Sequence, residues 1–303
     1  MNRPLVGALA TAVLGATALA GTAGTAHATT TSDAADRGAA RTATAPQLAA
    51  VAKAAAPKAK AVTFAGTVAL SNCSGSIVRM PNSADNDPAL VMSNGHCLES
   101  GMPDPGEVVV DQPSSRSFTV LSASAGNLGT VRATKVAYAT MTDTDVSFYE
   151  LSSTYAQIKQ RYGIKALDID TNHPAKGAGI TVVSGYWKKT YSCNIDGFVH
   201  QLKEGGYVMK DSVRYTPACK TIGGTSGSPV IDTASGKVAA INNTGNENGG
   251  RCTMNNPCEV DENGKVTVRK GINYAQEIYT IPKCFGTGNK LDLGRAGCVL
   301  PKP

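Results

Sequence analysis

About twelve strand-length segments constrain the fold of this chain more than any other feature of its sequence. They are rich in Val, Ile, Thr and Tyr, and turn residues such as Gly, Pro, Asn and Ser separate them. The segments are 62–70, 75–79, 89–93, 107–111, 117–122, 129–138, 145–151, 179–186, 198–202, 207–215, 229–232 and 237–242. Short strands at this spacing are typical of an antiparallel all-β protein, and their number suits two six-stranded antiparallel β-barrels.

Two other segments, 154–162 and 274–279, have a helical pattern. Neither is long enough to serve as the crossover of a βαβ unit, so a parallel sheet is not expected. The glycine-rich segment 242–250 is predicted to be a loop.

The N-terminal region differs from the rest of the chain in composition. Met1-Asn2-Arg3 precedes a small and apolar run over 4–20, and Ala26-His27-Ala28 offers a cleavage site, so residues 1–28 are predicted to be an export signal peptide. A membrane anchor is the alternative, but the run is short and rich in Ala, Gly and Thr. Residues 29–61 contain almost no large apolar side chain, which predicts a propeptide or a disordered arm.

Charge argues against a nucleic-acid-binding protein. The formal net charge is +6, but residues 1–60 hold six basic and two acidic residues, so residues 61–303 are near +2. Nothing in that larger part resembles a basic patch interleaved with aromatic side chains. We therefore expect no nucleic-acid partner.

The chain contains eight cysteines and no Cys-x-x-Cys motif. An even number of cysteines in an exported protein predicts four disulfides and not a metal cluster. The count alone leaves 105 possible pairings.

A glycine-rich loop, Gly223-Gly224-Thr225-Ser226-Gly227-Ser228, runs directly into the apolar strand segment that begins at Pro229. A serine hydroxyl can attack a carbonyl when the backbone presents it openly and when amide N–H groups face the oxyanion that forms. Glycines on both sides remove the Cβ atoms that would block such a loop. The pattern by itself does not choose between Ser226 and Ser228.

Three histidines other than His27 are candidate bases for such a serine. His96 follows an apolar strand segment and precedes Cys97, whose disulfide would fix the backbone there. His173 precedes a proline in a turn and His200 lies in a strand among polar residues, so both are interpreted as surface or packing histidines.

The acid that orients a catalytic histidine should border a buried strand. Asp145 precedes the apolar segment Val146-Ser147-Phe148 and meets this requirement. Asp143 is its competitor, and an ordinary polar turn or a weak cation site is the alternative for both acids.

Taken in order, these blocks resemble the secreted chymotrypsin-like serine peptidases, and particularly the bacterial branch that includes the glutamyl endopeptidases. The blocks are His96-Cys97, Asp145-Val146-Ser147-Phe148 and Gly224-Thr225-Ser226-Gly227-Ser228-Pro229. The resemblance covers about residues 62–245 and implies two β-barrels with the active site between them. It places barrel one at about 62–155, barrel two at about 165–285 and a disulfide-tied tail at 284–303, all within a peptidase domain over 62–303.

The resemblance also implies a role for each residue. Ser226 would be the nucleophile, His96 the general base and acid, and Asp145 the group that orients His96, while Ser228 would be structural. The backbone N–H groups of Gly224 and Ser226 would form the oxyanion hole. Pairing of Cys73 with Cys97 resembles the disulfide that closes the histidine loop in this family, and neighbour pairing is expected for the remaining cysteines, Cys193 with Cys219, Cys252 with Cys258 and Cys284 with Cys298.

Several residues depart from the family pattern. Ser93-Asn94-Gly95 replaces the usual Thr-Ala-Ala type of segment before the histidine. Thr225 stands where trypsins carry the aspartate that pairs with a freed N-terminus, so activation by that ion pair is not expected. Pocket specificity does not transfer either: the candidate substrate-pocket residues are Lys220, Thr221, Asn242 and Asn243, with no acid among residues 219–222. Lys220 or Thr221 would favour an acidic or polar substrate side chain, unless Lys220 points into solvent.

The expected function is that of a secreted serine endopeptidase that needs no cofactor or metal. Its partners would be protein or peptide substrates, with no membrane contact after signal removal, and the chain would be a monomer. The alternatives are an inactive peptidase-fold protein that binds protein ligands and a secreted esterase. A metal-dependent hydrolase is least favoured, because His96-Cys97 has no second ligand pair at metal spacing.

Overall fold

The computed structural model describes residues 61–303. The predicted signal peptide and all but the last residue of the predicted propeptide or arm lie outside these residues, and both stay predictions. No helix within 61–303 is long and apolar enough to cross a membrane.

The first half of the described chain forms a closed six-stranded antiparallel barrel. This half contains seven strands, β1 (Thr67–Ala69), β2 (Ser74–Arg79), β3 (Pro88–Ser93), β4 (Val108–Pro113), β5 (Ser117–Leu121), β6 (Asn127–Thr140) and β7 (Val146–Thr154), and six of them form the ring. The ring runs β1-β5-β6-β7-β3-β2 and closes through pairing of β2 with β1, while β4 pairs with β6 outside the ring.

A single α-helix, α1 (Tyr155–Tyr162), follows barrel one among the described residues, and the predicted helix over 154–162 is confirmed. Thr154 caps its N-terminus by accepting from the Gln157 N–H, and the Gln157 side chain reciprocally accepts from the Thr154 N–H. The helix ends at Gly163, whose φ of 68° lies in the left-handed region that glycine tolerates. A short strand, β8 (Leu167–Asp168), then pairs in parallel with β2.

The second half forms another six-stranded antiparallel ring. This half contains eight strands, β9 (Gly179–Ser184), β10 (Lys189–Glu204), β11 (Tyr207–Tyr215), β12 (Pro229–Asp232), β13 (Val238–Gly245), β14 (Cys258–Val260), β15 (Val266–Val268) and β16 (Asn273–Glu277), and six of them form the ring. The ring runs β9-β10-β11-β16-β13-β12 and returns to β9, while β14 and β15 extend the sheet from β10. The prediction of two six-stranded barrels is confirmed.

The helix predicted over 274–279 is wrong. That segment forms most of strand β16, which lies between β11 and β13 and completes the second ring. Tyr274, Ala275 and Gln276 are all buried. Backbone pairing to a strand on each side therefore overrides the weak helical pattern of a five-residue segment.

Clusters of buried apolar side chains hold these elements together. Barrel one is filled around Ile77, Val91, Phe118 and Tyr149, and barrel two around Val182, Val213, Tyr215 and Val230. A third cluster joins the barrels and includes side chains from both. The tail belongs to this third cluster: Phe285 packs edge-on against Phe148 of β7, with ring centroids 5.1 Å apart.

The C-terminal tail thus closes the back of the two-barrel unit. Short 3₁₀ helices at Ile281–Cys284 and Thr287–Asn289 shape it, and a disulfide joins Cys284 to Cys298. The Tyr138 hydroxyl donates to the carbonyl of Pro301 at 3.1 Å. This packing ties the tail to a cluster that contains side chains of both barrels.

Candidate active site

His96 lies immediately beyond the end of β3, in a 3₁₀ turn over Gly95–Cys97. A disulfide joins Cys97 to Cys73, at the start of β2. Gly95 is required because a Cβ there would collide with the carbonyl oxygen of Thr140. The disulfide at Cys97 and the close contact at Gly95 therefore hold the backbone on both sides of His96.

Asp145 binds His96 twice. Its Oδ2 atom lies 2.6 Å from His96 Nδ1, and its Oδ1 atom accepts from the His96 backbone N–H at 3.1 Å. The carboxylate is 1% exposed, whereas 23% of the His96 side chain is exposed. Asp143, the competing acid, is instead 41% exposed and forms an ion pair with Lys210 at 2.8 Å. The structure thus brings Asp145, and not Asp143, to the histidine.

Two opposing effects act on the pKa of His96. Burial lowers this pKa, but the Asp145 carboxylate and its hydrogen bond raise it, with a further contribution from the charge of Glu204. The net pKa is raised above its usual value. The acidic surroundings therefore favour a positive charge on the imidazole, which is the charge that it carries after taking a proton.

Ser226 and Ser228 differ sharply in their surroundings. Ser228 is fully buried, and its hydroxyl donates to the Thr225 carbonyl at 2.6 Å. Ser226 is partly exposed and lines a cavity that His96 and Asp145 also line. Its hydroxyl donates to the Asn243 carbonyl at 3.2 Å, and no hydrogen bond joins it to His96 within residues 61–303.

Thr225 stabilises the glycine-rich loop from inside. Its hydroxyl donates to the Ile222 carbonyl at 2.5 Å and accepts from the Asn242 side-chain amide at 3.1 Å. Asn242 also donates to the Thr225 carbonyl at 3.1 Å and accepts from the Tyr215 hydroxyl at 3.2 Å. Asn242 is consequently 1% exposed and fixes the loop from beneath instead of lining a substrate pocket.

The backbone N–H groups of Gly224 and Ser226 donate no hydrogen bond within the described part of the chain. Gly224 has a φ of 84°, and a Cβ there would approach the rings of Tyr186 and Trp187 at about 3 Å. The Trp187 indole N–H donates to the Gly223 carbonyl at 2.7 Å. Because the C=O and N–H of one peptide point in opposite directions, this bond also fixes the direction of the Gly224 N–H.

Asn94 connects the two halves of the site, a function that sequence reasoning missed. Its side-chain amide donates to the Asp145 carbonyl at 2.7 Å, and its Oδ1 accepts from the Gly227 N–H at 2.5 Å. Asn94 is completely buried. The signal was visible in the sequence, since Ser93-Asn94-Gly95 is where the chain departs from the family pattern.

Arg116 supports the histidine segment from behind and was also missed. It is 2% exposed, and its guanidinium donates to the Cys97 carbonyl at 2.6 Å and to the Tyr149 hydroxyl at 2.9 Å. It also donates to the Asn72 side chain at 2.5 Å. Nothing in the local sequence distinguishes this arginine from a surface residue.

The cavity between the barrels has a volume of about 320 Å³. Of the four candidate pocket residues, Thr221 and Asn243 line it, but Lys220 does not; it is exposed to solvent, the alternative that the sequence left open. Glu204 at the end of β10 also lines the cavity, as do Tyr207 and Met209 on β11. Sequence reasoning found no acid near the serine, yet the fold brings Glu204 into the same cavity.

The remaining histidines lie elsewhere. His200 is exposed on β10. His173 is 47% exposed, its Nε2 lies 3.1 Å from Glu277 Oε1, and its ring packs against Phe198 and Tyr279. Neither lines the cavity.

All eight cysteines form disulfides, joined in neighbour order. Besides the Cys73–Cys97 and Cys284–Cys298 pairs, Cys193 is joined to Cys219 and Cys252 to Cys258. The first of these links β10 to the segment that leads into the glycine-rich loop. The other closes the turn that carries Asn255 to the cavity wall.

One known domain family matches the sequence of this chain. The sequence pattern of the family described as "Trypsin-like peptidase domain" matches residues 73–241. No curated protein sequence matches the chain significantly.

Several solved structures have a similar fold. The MamO protease domain from Magnetospirillum magneticum is 14% identical, with a TM-score of 0.44, and the match covers 72% of this chain and 95% of that one. A protease from M. tuberculosis in its active form is 13% identical, with a TM-score of 0.45 and coverages of 80% and 85%. A Glu endopeptidase is 14% identical, with a TM-score of 0.40 and coverages of 74% and 92%.

Proposed function

The chain belongs to the trypsin-like peptidase domain family, and on that premise we propose that it is a secreted serine endopeptidase that hydrolyses peptide bonds through an acyl-enzyme on Ser226. One observation carries the proposal. The cavity that presents the Ser226 hydroxyl also presents His96, whose Nδ1 atom is bonded to the buried carboxylate of Asp145. A serine, a histidine and an orienting acid are the groups that acyl transfer requires.

His96 acts as the base. Because Nδ1 donates to Asp145, the neutral ring carries its proton there and leaves Nε2 free to accept the proton of Ser226. The Ser226 hydroxyl must first rotate away from the Asn243 carbonyl. Hydrogen bonds of this kind often form only in the complex with substrate.

The first half of the reaction forms the acyl-enzyme. Ser226 Oγ bonds to the carbonyl carbon while its proton moves to His96 Nε2, and the carbonyl oxygen becomes an oxyanion. The N–H groups of Gly224 and Ser226, which have no intramolecular acceptor among the described residues, donate to that oxyanion. The C–N bond then breaks as Nε2 returns the proton to the leaving amine.

Water completes the cycle in the same way. His96 removes a proton from water as its oxygen attacks the acyl carbon, and the Ser226–acyl bond breaks with return of that proton to Ser226 Oγ. Asp145 stabilises the imidazolium at both stages. Each oxyanion-hole donor contributes about 3 kcal/mol of transition-state stabilisation in enzymes of this type.

Secretion is part of the proposal. Four disulfides suit an oxidising compartment, and residues 1–28 have the pattern of an export signal. The monomeric state stays a prediction.

Membership of the glutamyl endopeptidase branch stays a prediction from the motif Gly224-Thr225-Ser226-Gly227-Ser228-Pro229, and the cavity does not support the specificity of that branch. No lysine or arginine is among the described residues that line the cavity. The cavity therefore offers no cationic side chain to an acidic substrate residue.

Covalent labelling with a fluorophosphonate probe tests the assignment of the nucleophile. The full chain is exported from its host and purified, together with Ser226→Ala and the matched variant Ser228→Ala. We expect labelling of the wild type and of Ser228→Ala but not of Ser226→Ala, with circular dichroism showing that all three are folded. Equal labelling of Ser226→Ala and wild type would refute the assignment.

Cleavage of an unfolded protein separates the proposed peptidase from the alternatives. An endopeptidase shortens denatured casein into fragments, and Ser226→Ala does not. An esterase would hydrolyse an activated ester and leave casein intact. A peptidase-fold binding protein would do neither, and its wild type would resist the fluorophosphonate.

A further inference from the structure

The turn between β10 and β11 aims an acid at the cavity. Glu204 is the last residue of β10 and pairs with Tyr207, the first residue of β11. The two residues between them, Gly205 and Gly206, both have positive φ, 55° and 98°. Such a two-residue glycine turn is the tight hairpin connection that keeps the flanking strands in register. Glu204 is therefore held by a regular hairpin.

Glu204 is only 7% exposed, and His96 is the basic residue of the described chain whose charge acts on its carboxylate. Its Oε1 atom accepts from the backbone N–H of Asn255 at 2.7 Å. This bond orients the group without neutralising its charge. No lysine or arginine within 61–303 forms an ion pair with it, and burial raises its pKa.

The walls around this acid are apolar. Met141, Tyr207 and Met209 line the cavity and are each at most 8% exposed, and Met102 and Met254 lie at its more open parts. Methionine side chains adapt to the shape of what they contact. An apolar wall that leads to a carboxylate matches a lysine or arginine side chain, whose long aliphatic stem ends in a cation.

Other acids of the cavity do not offer the same contact. Asp145 is occupied by His96 and is 1% exposed. Glu247 lies at the exposed rim, where solvent screens its charge. Among the acids of the cavity, Glu204 combines burial and fixed geometry with a charge that no lysine or arginine within 61–303 pairs, and Ser226 lines the same cavity.

We propose that Glu204 is a specificity-determining residue that binds the cationic side chain of a lysine or arginine of the substrate close to the scissile bond. This inference rests on the proposed peptidase function and names the substrate class for the same cavity. It differs from the expectation that Lys220 or Thr221 would favour an acidic or polar side chain. The acid comes from a hairpin that precedes the serine in sequence and not from the base of the pocket before the serine.

Arginine and citrulline provide the matched test, because citrulline has nearly the shape of arginine and no charge. Peptide pairs with either residue at each position around a cleaved bond are compared by kcat/KM for the wild type, Glu204→Gln and Glu247→Gln. Hydrogen bonds to a charged group change binding on the order of 10- to 100-fold. We expect an arginine preference of about that size at one position in the wild type and in Glu247→Gln, and its loss in Glu204→Gln.

Binding to Ser226→Ala, measured by isothermal titration with the same peptide pairs, gives a readout that does not depend on turnover. In that variant we expect the arginine peptide to bind more tightly than the matched citrulline peptide. Adding Glu204→Gln to Ser226→Ala should abolish this difference in affinity. Equal binding and cleavage of the two peptides, or an arginine preference that survives Glu204→Gln, would overturn the inference. Failure of fluorophosphonate labelling counts against the proposed function, whereas this binding comparison still decides the role of Glu204.

Discussion

Replacement of Asp145 by asparagine separates its role from that of Asp143 and tests the catalytic assignment in detail. Asp145 accepts two hydrogen bonds from His96, from Nδ1 at 2.6 Å and from the backbone N–H at 3.1 Å. Asparagine has one acceptor oxygen in place of two. If that oxygen stays on the backbone N–H, the amide NH₂ group faces Nδ1 and forces it to accept. The ring proton then moves to Nε2, which can no longer take the proton of Ser226.

The size of the effect follows from the lost tautomer. An acid-to-amide change at this position of a serine triad lowers kcat by about 10⁴-fold, which corresponds to about 5 kcal/mol of transition-state stabilisation. Folding should change far less, because asparagine is nearly isosteric with aspartate. The charge of Asp145 also raises the pKa of His96, so its removal should move the acidic limb of the activity profile to lower pH.

Asp143→Asn is the matched control. Asp143 is two residues away, but its carboxylate is 41% exposed and bonded to Lys210, and exposed ion pairs contribute about 0–1 kcal/mol. Peptide kcat/KM from pH 5 to 9 and the rate of fluorophosphonate labelling are measured for both variants. Activity of Asp143→Asn within about threefold of the wild type is expected. The reasoning fails if Asp145→Asn keeps more than a tenth of the wild-type activity, or if the two variants lose equal activity.

Three further perturbations test other contacts. Trp187→Phe removes the donor to the Gly223 carbonyl, so kcat should fall about tenfold with little change in KM. An equal change in kcat and KM would contradict a role of Trp187 in orienting the oxyanion hole. Arg116→Met leaves the Cys97 carbonyl without its buried charged donor. The free energy of unfolding, measured in urea, should therefore fall by about 3 kcal/mol, and a loss below about 0.5 kcal/mol would contradict this role of Arg116. Burial raises the pKa of Glu277 to about 8, above its value of 4.5 in an unfolded chain, so the stability of the wild type should fall as pH rises between these values. Glu277→Gln should therefore gain thermal stability relative to the wild type at pH 9 but not at pH 4, and an equal difference at both would exclude that titration.

The ring strands of both barrels except β16 could be predicted because each local pattern agrees with its final environment. Most residues of segments 75–79 and 179–186 are small or β-branched, and in the structure 75–78 and 180–184 are buried strand residues. The helix α1 was predictable for a similar reason, since its cap and its terminating glycine are both local. Strand β16 was not predictable, because a helical pattern in Tyr274 to Tyr279 is overridden by two neighbouring strands from distant parts of the chain.

The catalytic candidates were visible for a different reason. His96 stands beside a cysteine and Asp145 beside an apolar run, so each carries its structural support in adjacent residues. Ser226 became distinct from Ser228 only through the resemblance to the peptidase family, whose catalytic serine precedes Gly-Ser-Pro. The structure shows a physical counterpart of that choice, because Ser228 is fully buried and Ser226 faces the cavity.

Substrate contacts are harder to predict because ring closure, and not chain proximity, assembles the cavity. A search of residues 219–222 finds no acid, yet pairing of β10 with β11 places Glu204 in a cavity that also includes Ser226. Asn94 illustrates the same point, since its two partners are 51 and 133 residues away. Both side chains are polar, buried and bonded to backbone groups of other segments. A search for specificity in such a chain should therefore begin with acids and amides at strand ends, where closure of a barrel can bring them to the serine.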